Sequence, residues 1–330
     1  MVTPRSIPSP SPEWQSFSVG IFTIHTYAIC ILVGIVAAIL LTSRRLTKRG
    51  AEPGVVVDVA LWAVPLGIVG ARLWHVFTHP ADYFGGGRSL LETLGGIIAI
   101  WEGGNAIFGS LIGGAIGVWI GCRITGLRFW TFADALAPGL LLAQAIGRLG
   151  NWFNHELFGQ PTDLPWGLEI ESSNPAFPAG LPAGTLFHPT FLYEMLWNLF
   201  GVVLLLLIER EWRLQWGKLF ALYLIWYGIG RIWFESIRVD PSLIFLGLRS
   251  NVWGAILAVV LGVILFLVQR RRHPGVEPSP YVAGREWGRE DKVESVYTAE
   301  DFEDGDAAET ETDRLPATSA ASRNAGSSKR

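Results

Sequence analysis

Cysteine is nearly absent: two residues in 330, Cys30 and Cys122, each in or at the edge of an apolar run. That leaves no disulfide framework and no reason to assign either thiol to catalysis. Charge is scarce as well, at 17% Asp, Glu, Lys and Arg, where soluble domains carry about 25%. His, Cys and Asp are nowhere clustered at metal-ligand spacing, so no metal site is expected. There is no nucleotide-type glycine loop and no Gly-x-Ser-x-Gly, and the glycines at 85–87 are a weak loop feature. No nucleic-acid partner is expected. The first residues, MVTPRSIPSPSPEW, lack the charged-then-apolar pattern of a cleaved signal peptide, so the first long apolar run is expected to remain as an anchor.

What is present is apolar. Half of the residues are hydrophobic, with 15 Trp and 38 Gly, and the mean hydropathy is +0.35. Trp favours membrane interfaces and Gly lets membrane helices approach closely. Seven runs approach the roughly 20 residues that span a bilayer, near 20–42, 57–78, 96–121, 132–150, 188–208, 217–236 and 250–268. The fold class expected is therefore an all-α polytopic membrane protein with seven transmembrane helices. Lys and Arg are concentrated in the connections holding Arg44, Arg45, Lys48 and Arg49; Arg123 and Arg128; Arg210, Arg213 and Lys218; and Arg270, Arg271 and Arg272. The alternate connections hold only Arg5, Arg88, Arg238 and Arg249. The richer set is expected inside, which puts the N-terminus outside and the C-terminus inside.

Residues 1–19 then form an external segment, and 20–273 the membrane domain. The connection 151–187 contains no Lys or Arg, is rich in Pro and Gly, and holds Asp163, Glu169 and Glu171. It reads as a small external cap between helices four and five, with short strands or turns. Residues 274–330 carry 13 acidic and 7 basic side chains with little apolar surface. They read as a disordered acidic cytoplasmic tail whose removal leaves activity intact. In the third run Gly109, Gly113, Gly117 and Gly121 recur every four residues, a packing seam without chemistry.

The polar residues collect at one depth. In GRLGNWFNHELFG (147–159), Arg148, Asn151 and His155 share a helix face, with Glu156 at its edge; in YGIGRIWFE (227–235), Tyr227, Arg231 and Glu235 form one stripe. With the N-terminus outside, His25, Tyr27, Arg72, His75, Glu102, His188, Tyr193 and Glu194 fall in the same outer half. Intramembrane charges usually mark function; the bland alternative for Arg231 and Glu235 is a private ion pair within the helix. His75 reads as an interfacial histidine, and Asp134, near the opposite end, as packing or capping. Two arginines held together suit an anionic phospholipid headgroup, because guanidinium binds phosphate bidentately.

The stretch GRLGNWFNHELFG resembles the signature of the prolipoprotein diacylglyceryl transferases, Gly-Arg-x-Gly-Asn-Phe-x-Asn-x-Glu-x-x-Gly. Gly147, Arg148, Gly150, Asn151, Asn154, Glu156 and Gly159 match, and Trp152 stands at the Phe position. His25 and Tyr27, GARLWHV around Arg72, WEGG at 101–104, HPTFLYE at 188–194 and YGIGRIWFE match further landmarks, over about 20–270. Phe108 stands where many members have a histidine discussed as the base.

The resemblance implies an enzyme of the bacterial plasma membrane that moves a diacylglyceryl group from phosphatidylglycerol to the lipobox cysteine of a prolipoprotein. A thioether forms, glycerol phosphate leaves, and no cofactor is needed. Arg148 and Arg231 are expected to clamp the phosphate, and Tyr27 or His25 to assist the thiol. Asn151 and Asn154 would orient the headgroup or peptide, and Glu156 and Glu235 would hold the arginines. His188 and Glu194 would secure the fifth helix and the cap. Gly159, Tyr227, Arg72 and Glu102 complete the expected substrate site. The competing readings are a carrier of anionic solutes, which needs polar residues through both leaflets, and another headgroup transferase, which usually has a soluble catalytic domain or metal ligands.

Overall fold

The computed structural model describes residues 6–20, 22–84, 89–100, 103–104 and 106–287. After a hairpin of β1 (Ser16–Val19) and β2 (Phe22–His25), nine helices follow among the described residues. They are α1 (Thr26–Lys48), α2 (Val55–Thr78), α3 (Ala81–Phe84), α4 (Leu90–Ile98), α5 (Ile107–Thr125), α6 (Phe129–Phe153), α7 (Thr190–Trp212), α8 (Lys218–Ile237) and α9 (Ser250–Arg272). Two-residue strand pairs, β3 (Leu168–Glu169) with β4 (Leu186–Phe187) and β5 (Ile244–Phe245) with β6 (Leu248–Arg249), tighten two of the connections.

Among the described residues, six helices are long and apolar enough to cross a membrane: α1, α2, α5, α6, α7 and α9. The chain is therefore a mostly helical polytopic membrane protein. Large apolar side chains such as Leu40, Leu61, Leu111, Leu207 and Leu257 are exposed along these helices, as a lipid solvent allows. The sequence led us to expect seven spans; the remaining helix, α8, is continuous over 20 residues but carries Lys218, Arg231 and Glu235. The third expected span, 96–121, is corrected. Residues up to Ile98 belong to α4, which opens on a capping box between Ser89 and Glu92. Gly103 and Gly104, at φ 90° and 70°, break the chain before α5.

Helix α6 is the hub, packed against α1, α7 and α8. Of its apolar stretch 56% is buried, against 17–33% for the other five spans. Helices α2 and α5 form a second tight pair. A Cβ added at Gly113 would lie 2.1 Å from the Leu66 carbonyl oxygen, and one at Gly117 2.4 Å from that of Trp62. The glycine seam is therefore a backbone-to-backbone contact. Asp134 caps α8: Gly217 N–H and Phe220 N–H donate to its two carboxylate oxygens, each at 2.8 Å. This is the capping role expected of it, supplied from a neighbouring helix.

The connection between α6 and α7 packs its own small core of Phe158, Leu168, Ile170, Phe187 and Phe191, with Ile7 of the N-terminal segment against it. Residues 274–287 correct the sequence expectation of an unpacked appendage. Tyr281 is buried among Leu46, Val55, Leu127 and Phe132, and its hydroxyl accepts from Glu52 N–H at 2.9 Å. Arg128 N–H donates to Pro280 O at 2.9 Å, and Trp216 N–H to Glu277 at 2.8 Å. The segment thus ties together the α1–α2, α5–α6 and α7–α8 connections. The remainder of the expected tail, 288–330, lies outside the described residues.

Candidate active site

Helices α6 and α8 finish, and α1, α7 and α9 begin, at one end of the bundle, and the ionisable residues meet there. Arg148 and Asn151 stand one turn apart on α6, and Arg148 Nη1–H donates to Asn151 Oδ1 at 3.1 Å. The other terminal nitrogen, Nη2, lies 2.7 Å from Glu194 Oε2 on α7. Arg231 Nη1 of α8 lies 3.8 Å from the same oxygen, and its Nη2 3.0 Å from Glu235 Oε2 one turn on. Two arginines from different helices thus converge on one buried carboxylate. Each guanidinium has five N–H groups, more than these contacts use, and both keep some exposure at the site.

Behind this pair lies a supporting layer. Glu235 is fully buried and is met by Arg249 Nε at 3.0 Å and Arg238 Nη1 at 3.6 Å, and Asn251 Nδ2–H donates to it at 3.0 Å. Arg238 is in turn held bidentately by Asp240, at 2.7 and 2.9 Å. Burial alone would lower the Arg238 pKa, but Asp240, with Glu235 and Glu194, raises it above the usual arginine range. A buried charge is tolerable only when paired in this way.

The turn after α6 sets the other wall. His155 and Leu157 stand at φ 52° and 59°, a left-handed conformation that non-glycine side chains seldom adopt. The reversal brings Glu156 back over the helix end, where Asn151 Nδ2–H donates to it at 2.8 Å and Asn154 Nδ2–H at 3.3 Å. Gly150 lets Tyr27 lie against α6, since a Cβ there would fall 2.5 Å from Tyr27 Cδ2. Tyr27 is within electrostatic reach of both Glu156 and Arg148. Gly159 bridges to Arg238 and its N–H donates to His188 O at 2.9 Å, joining the connection to the α8 end.

The structure therefore brings together Arg148, Asn151, Asn154, Glu156, Arg231 and Glu235, with Tyr27 and Gly159 beside them. Tyr227 lies on the same side of α8 and stacks on Tyr223 at 6.1 Å between centroids. Other expected site residues make no hydrogen bond or ion pair with Arg148 or Arg231 among the described residues. Arg72 is buried, with its guanidinium spent on backbone carbonyls of 96–104, including Ile97 O at 2.9 Å and Gly104 O at 3.1 Å. It fastens the α4–α5 connection to α2. His188 Nδ1 meets the Tyr193 hydroxyl at 3.2 Å, and His25 is exposed at the end of β2. Glu102 lies outside the described residues. Phe108 lies at 46° to Trp74, 6.4 Å between centroids.

Glu156 meets the two asparagines, and Glu194 takes the place beside Arg148 that the sequence suggested for Glu156. Arg238, Arg249, Asp240 and Asn251 were not anticipated as part of the site. Their only signal was the pair of arginines in an otherwise Lys/Arg-poor connection.

A model of the prolipoprotein diacylglyceryl transferase family matches residues 15–268. Among similar proteins is the phosphatidylglycerol–prolipoprotein diacylglyceryl transferase of Leifsonia xyli subsp. xyli, 67% identical over 287 residues, 86% of this chain and 86% of that one. A second is the phosphatidylglycerol–prolipoprotein diacylglyceryl transferase 2 of Streptomyces coelicolor, 47% identical over 272 residues, 81% and 83% of the two chains. A third, from Bifidobacterium longum, is 47% identical over 270 residues, 78% and 84%. With its signature folded around two converging arginines, the chain belongs to the prolipoprotein diacylglyceryl transferase family.

Proposed function

We propose that this end of the bundle transfers the diacylglyceryl group of phosphatidylglycerol to the lipobox cysteine of a prolipoprotein, the first step of lipoprotein maturation. The observation that carries the mechanism is the convergence of Arg148 and Arg231 on Glu194. The thiol sulfur attacks the glycerol carbon bonded to the phosphate oxygen. A C–S bond forms as the C–O bond breaks, and glycerol phosphate departs with the electron pair. The diester carries one negative charge and the departing monoester gains a second. Arg148 and Arg231 stand preorganised for that second charge, fixed by Glu194 and Glu235. Asn151 and Asn154, locked by Glu156, orient the headgroup. Tyr27 assists loss of the thiol proton to the surrounding water, so that the attacking species is the thiolate and the phosphate leaves as the dianion.

Helix α8 is the seventh span in this account. Its charges face partners on α7 and in the α8–α9 connection, so they need not meet lipid. The Lys/Arg bias places the N-terminus outside, the C-terminus inside and the α6–α7 connection as an external cap. The site then opens to the outer leaflet of the bacterial plasma membrane. To test the reaction, the purified protein is incubated with phosphatidylglycerol and a lipobox peptide, and the peptide mass is measured beside a Cys→Ser control. A diacylglyceryl mass shift confined to the cysteine peptide is expected. A shift in the serine peptide, or none in either with folded protein, would refute the reaction.

A further inference from the structure

His155 is a chemistry-bearing residue that the reaction above does not use. It is 2% exposed and held at φ 52°, a backbone state that costs free energy and persists only where its surroundings impose it. Its Nδ1 lies 2.8 Å from Glu171 Oε1, and its carbonyl oxygen accepts from Asn174 Nδ2–H at 3.0 Å. A carboxylate only accepts, so Nδ1 carries the proton that it donates, which leaves Nε2 as the ring nitrogen without that bond. That Nε2 is buried and has no partner among the described residues. Buried polar atoms are rarely left unused.

His155 lines a cavity of about 580 Å³ in the α6–α7 connection, together with Ser9, Glu169, Glu171, Ser173 and Thr185. The size falls within the range of ligand sites. Pro10, Pro12, Ile170 and Leu186 complete the lining, so hydroxyls and carboxylates stand among apolar side chains, a mixture that suits a polypeptide. One part of the wall is backbone running out of β3 and into β4, and another is residues 9–12 of the N-terminal segment; the β3–β4 pair is already flanked by Ile7 on one side and Pro161 on the other. Ile7 N–H donates to Gly167 O at 2.8 Å, and Glu169 N–H to Ile7 O at 2.9 Å. Strand addition of this kind is a recurrent way of binding peptides. Next to His155 in sequence is Glu156, which accepts from Asn151, the partner of Arg148.

We propose that this cavity binds, in extended form, the stretch of acceptor polypeptide that follows the modified cysteine, with one of its backbone polar groups hydrogen-bonded to His155 Nε2. The inference rests on the transfer reaction proposed above. It adds a subsite that reads the acceptor beyond its cysteine.

The test compares two lipobox peptides, identical through the cysteine, one ending two residues later and one continuing for twelve. If the wild-type protein modifies neither, the reaction itself has failed, which is a separate result from failure of the subsite. If it modifies both, kcat/KM is expected to be about tenfold higher for the longer peptide, carried by KM. His155→Leu removes the hydrogen-bonding atom, and because His155 is buried, Thr185→Trp, which fills the half-exposed rim, is measured beside it. Both are expected to bring the long-to-short ratio close to one. A wild-type ratio of one, or a ratio unchanged in Thr185→Trp at wild-type Tm, overturns the proposal.

Discussion

Glu194 couples the two clamp arginines, because it faces both Arg148 and Arg231. Removing its charge leaves Arg148 and Arg231 close together without the group that offsets their repulsion. Breaking one side of a buried pair costs about 3–5 kcal/mol. Glu194→Gln is therefore expected to lower thermal stability in detergent and to reduce transfer at least a hundredfold. Wild-type activity in that variant would remove Glu194 from the mechanism. A second residue-scale prediction concerns pH. Burial pushes the Glu171 carboxyl up, but its hydrogen bonds, first that from His155, hold it below the ordinary 4.5 overall. A carboxyl depressed in the folded state contributes stability above its unfolded pKa and loses it as pH falls through the folded value. The protein should therefore lose Tm as the pH drops below about 4.5, and Glu171→Gln should make that decline shallower. An equally steep decline in the variant would count against the His155–Glu171 contact.

Among the elements, the α2–α5 pair gives the sharpest packing test. A Cβ at Gly113 would collide with the Leu66 carbonyl, whereas one at Gly114 would find its nearest neighbour, the Ala63 carbonyl, 3.9 Å away. Gly113→Ala is expected to destabilise by about 1–3 kcal/mol, the usual cost of overpacking, and Gly114→Ala to leave Tm nearly unchanged. The segment 274–287 makes the other element-scale prediction. Cutting the chain after 287 should leave Tm where it is, and cutting after 273 should lower it by several degrees, since buried Tyr281 and the Glu277 hydrogen bonds are then lost. Equal Tm for the two truncations would show that the docked segment adds nothing.

These elements also show how far the sequence could be read. The long apolar runs announced the helices, and the four-residue glycine spacing announced the seam, because both are periodic properties of one strand of chain. The break between α4 and α5 was hidden, since it lies in backbone angles at Gly103 and Gly104 within a run that stays apolar. Residues 274–287 share the tail's composition, and only the partners of Tyr281 and Glu277 set them apart. The site was half legible. The signature residues of α6 and the stripe of α8 stood out by spacing. Glu194 and the Arg238–Arg249 layer did not, because their partners are on other helices and no one-dimensional pattern records them. Arg72 looked like a site residue by depth, yet its donors are consumed by carbonyls that sequence cannot place.

At the scale of the whole molecule, α6 works as the axis on which the function depends. It packs on three helices, caps α8 through Asp134 at one end, and presents Arg148 and Asn151 at the other. Its signature turn then feeds directly into the α6–α7 connection. The phosphate clamp depends on this arrangement, since its two arginines come from separate helices and meet at Glu194. The most direct measurement is the rate of diacylglyceryl transfer by Arg148→Lys at saturating phosphatidylglycerol, with Tm recorded alongside. Lysine keeps the charge and loses the planar fork. The account predicts a rate about a hundredfold or more below wild type, the loss typical when one preorganised donor is removed, in a protein that still melts as wild type. Full activity in Arg148→Lys would contradict the clamp.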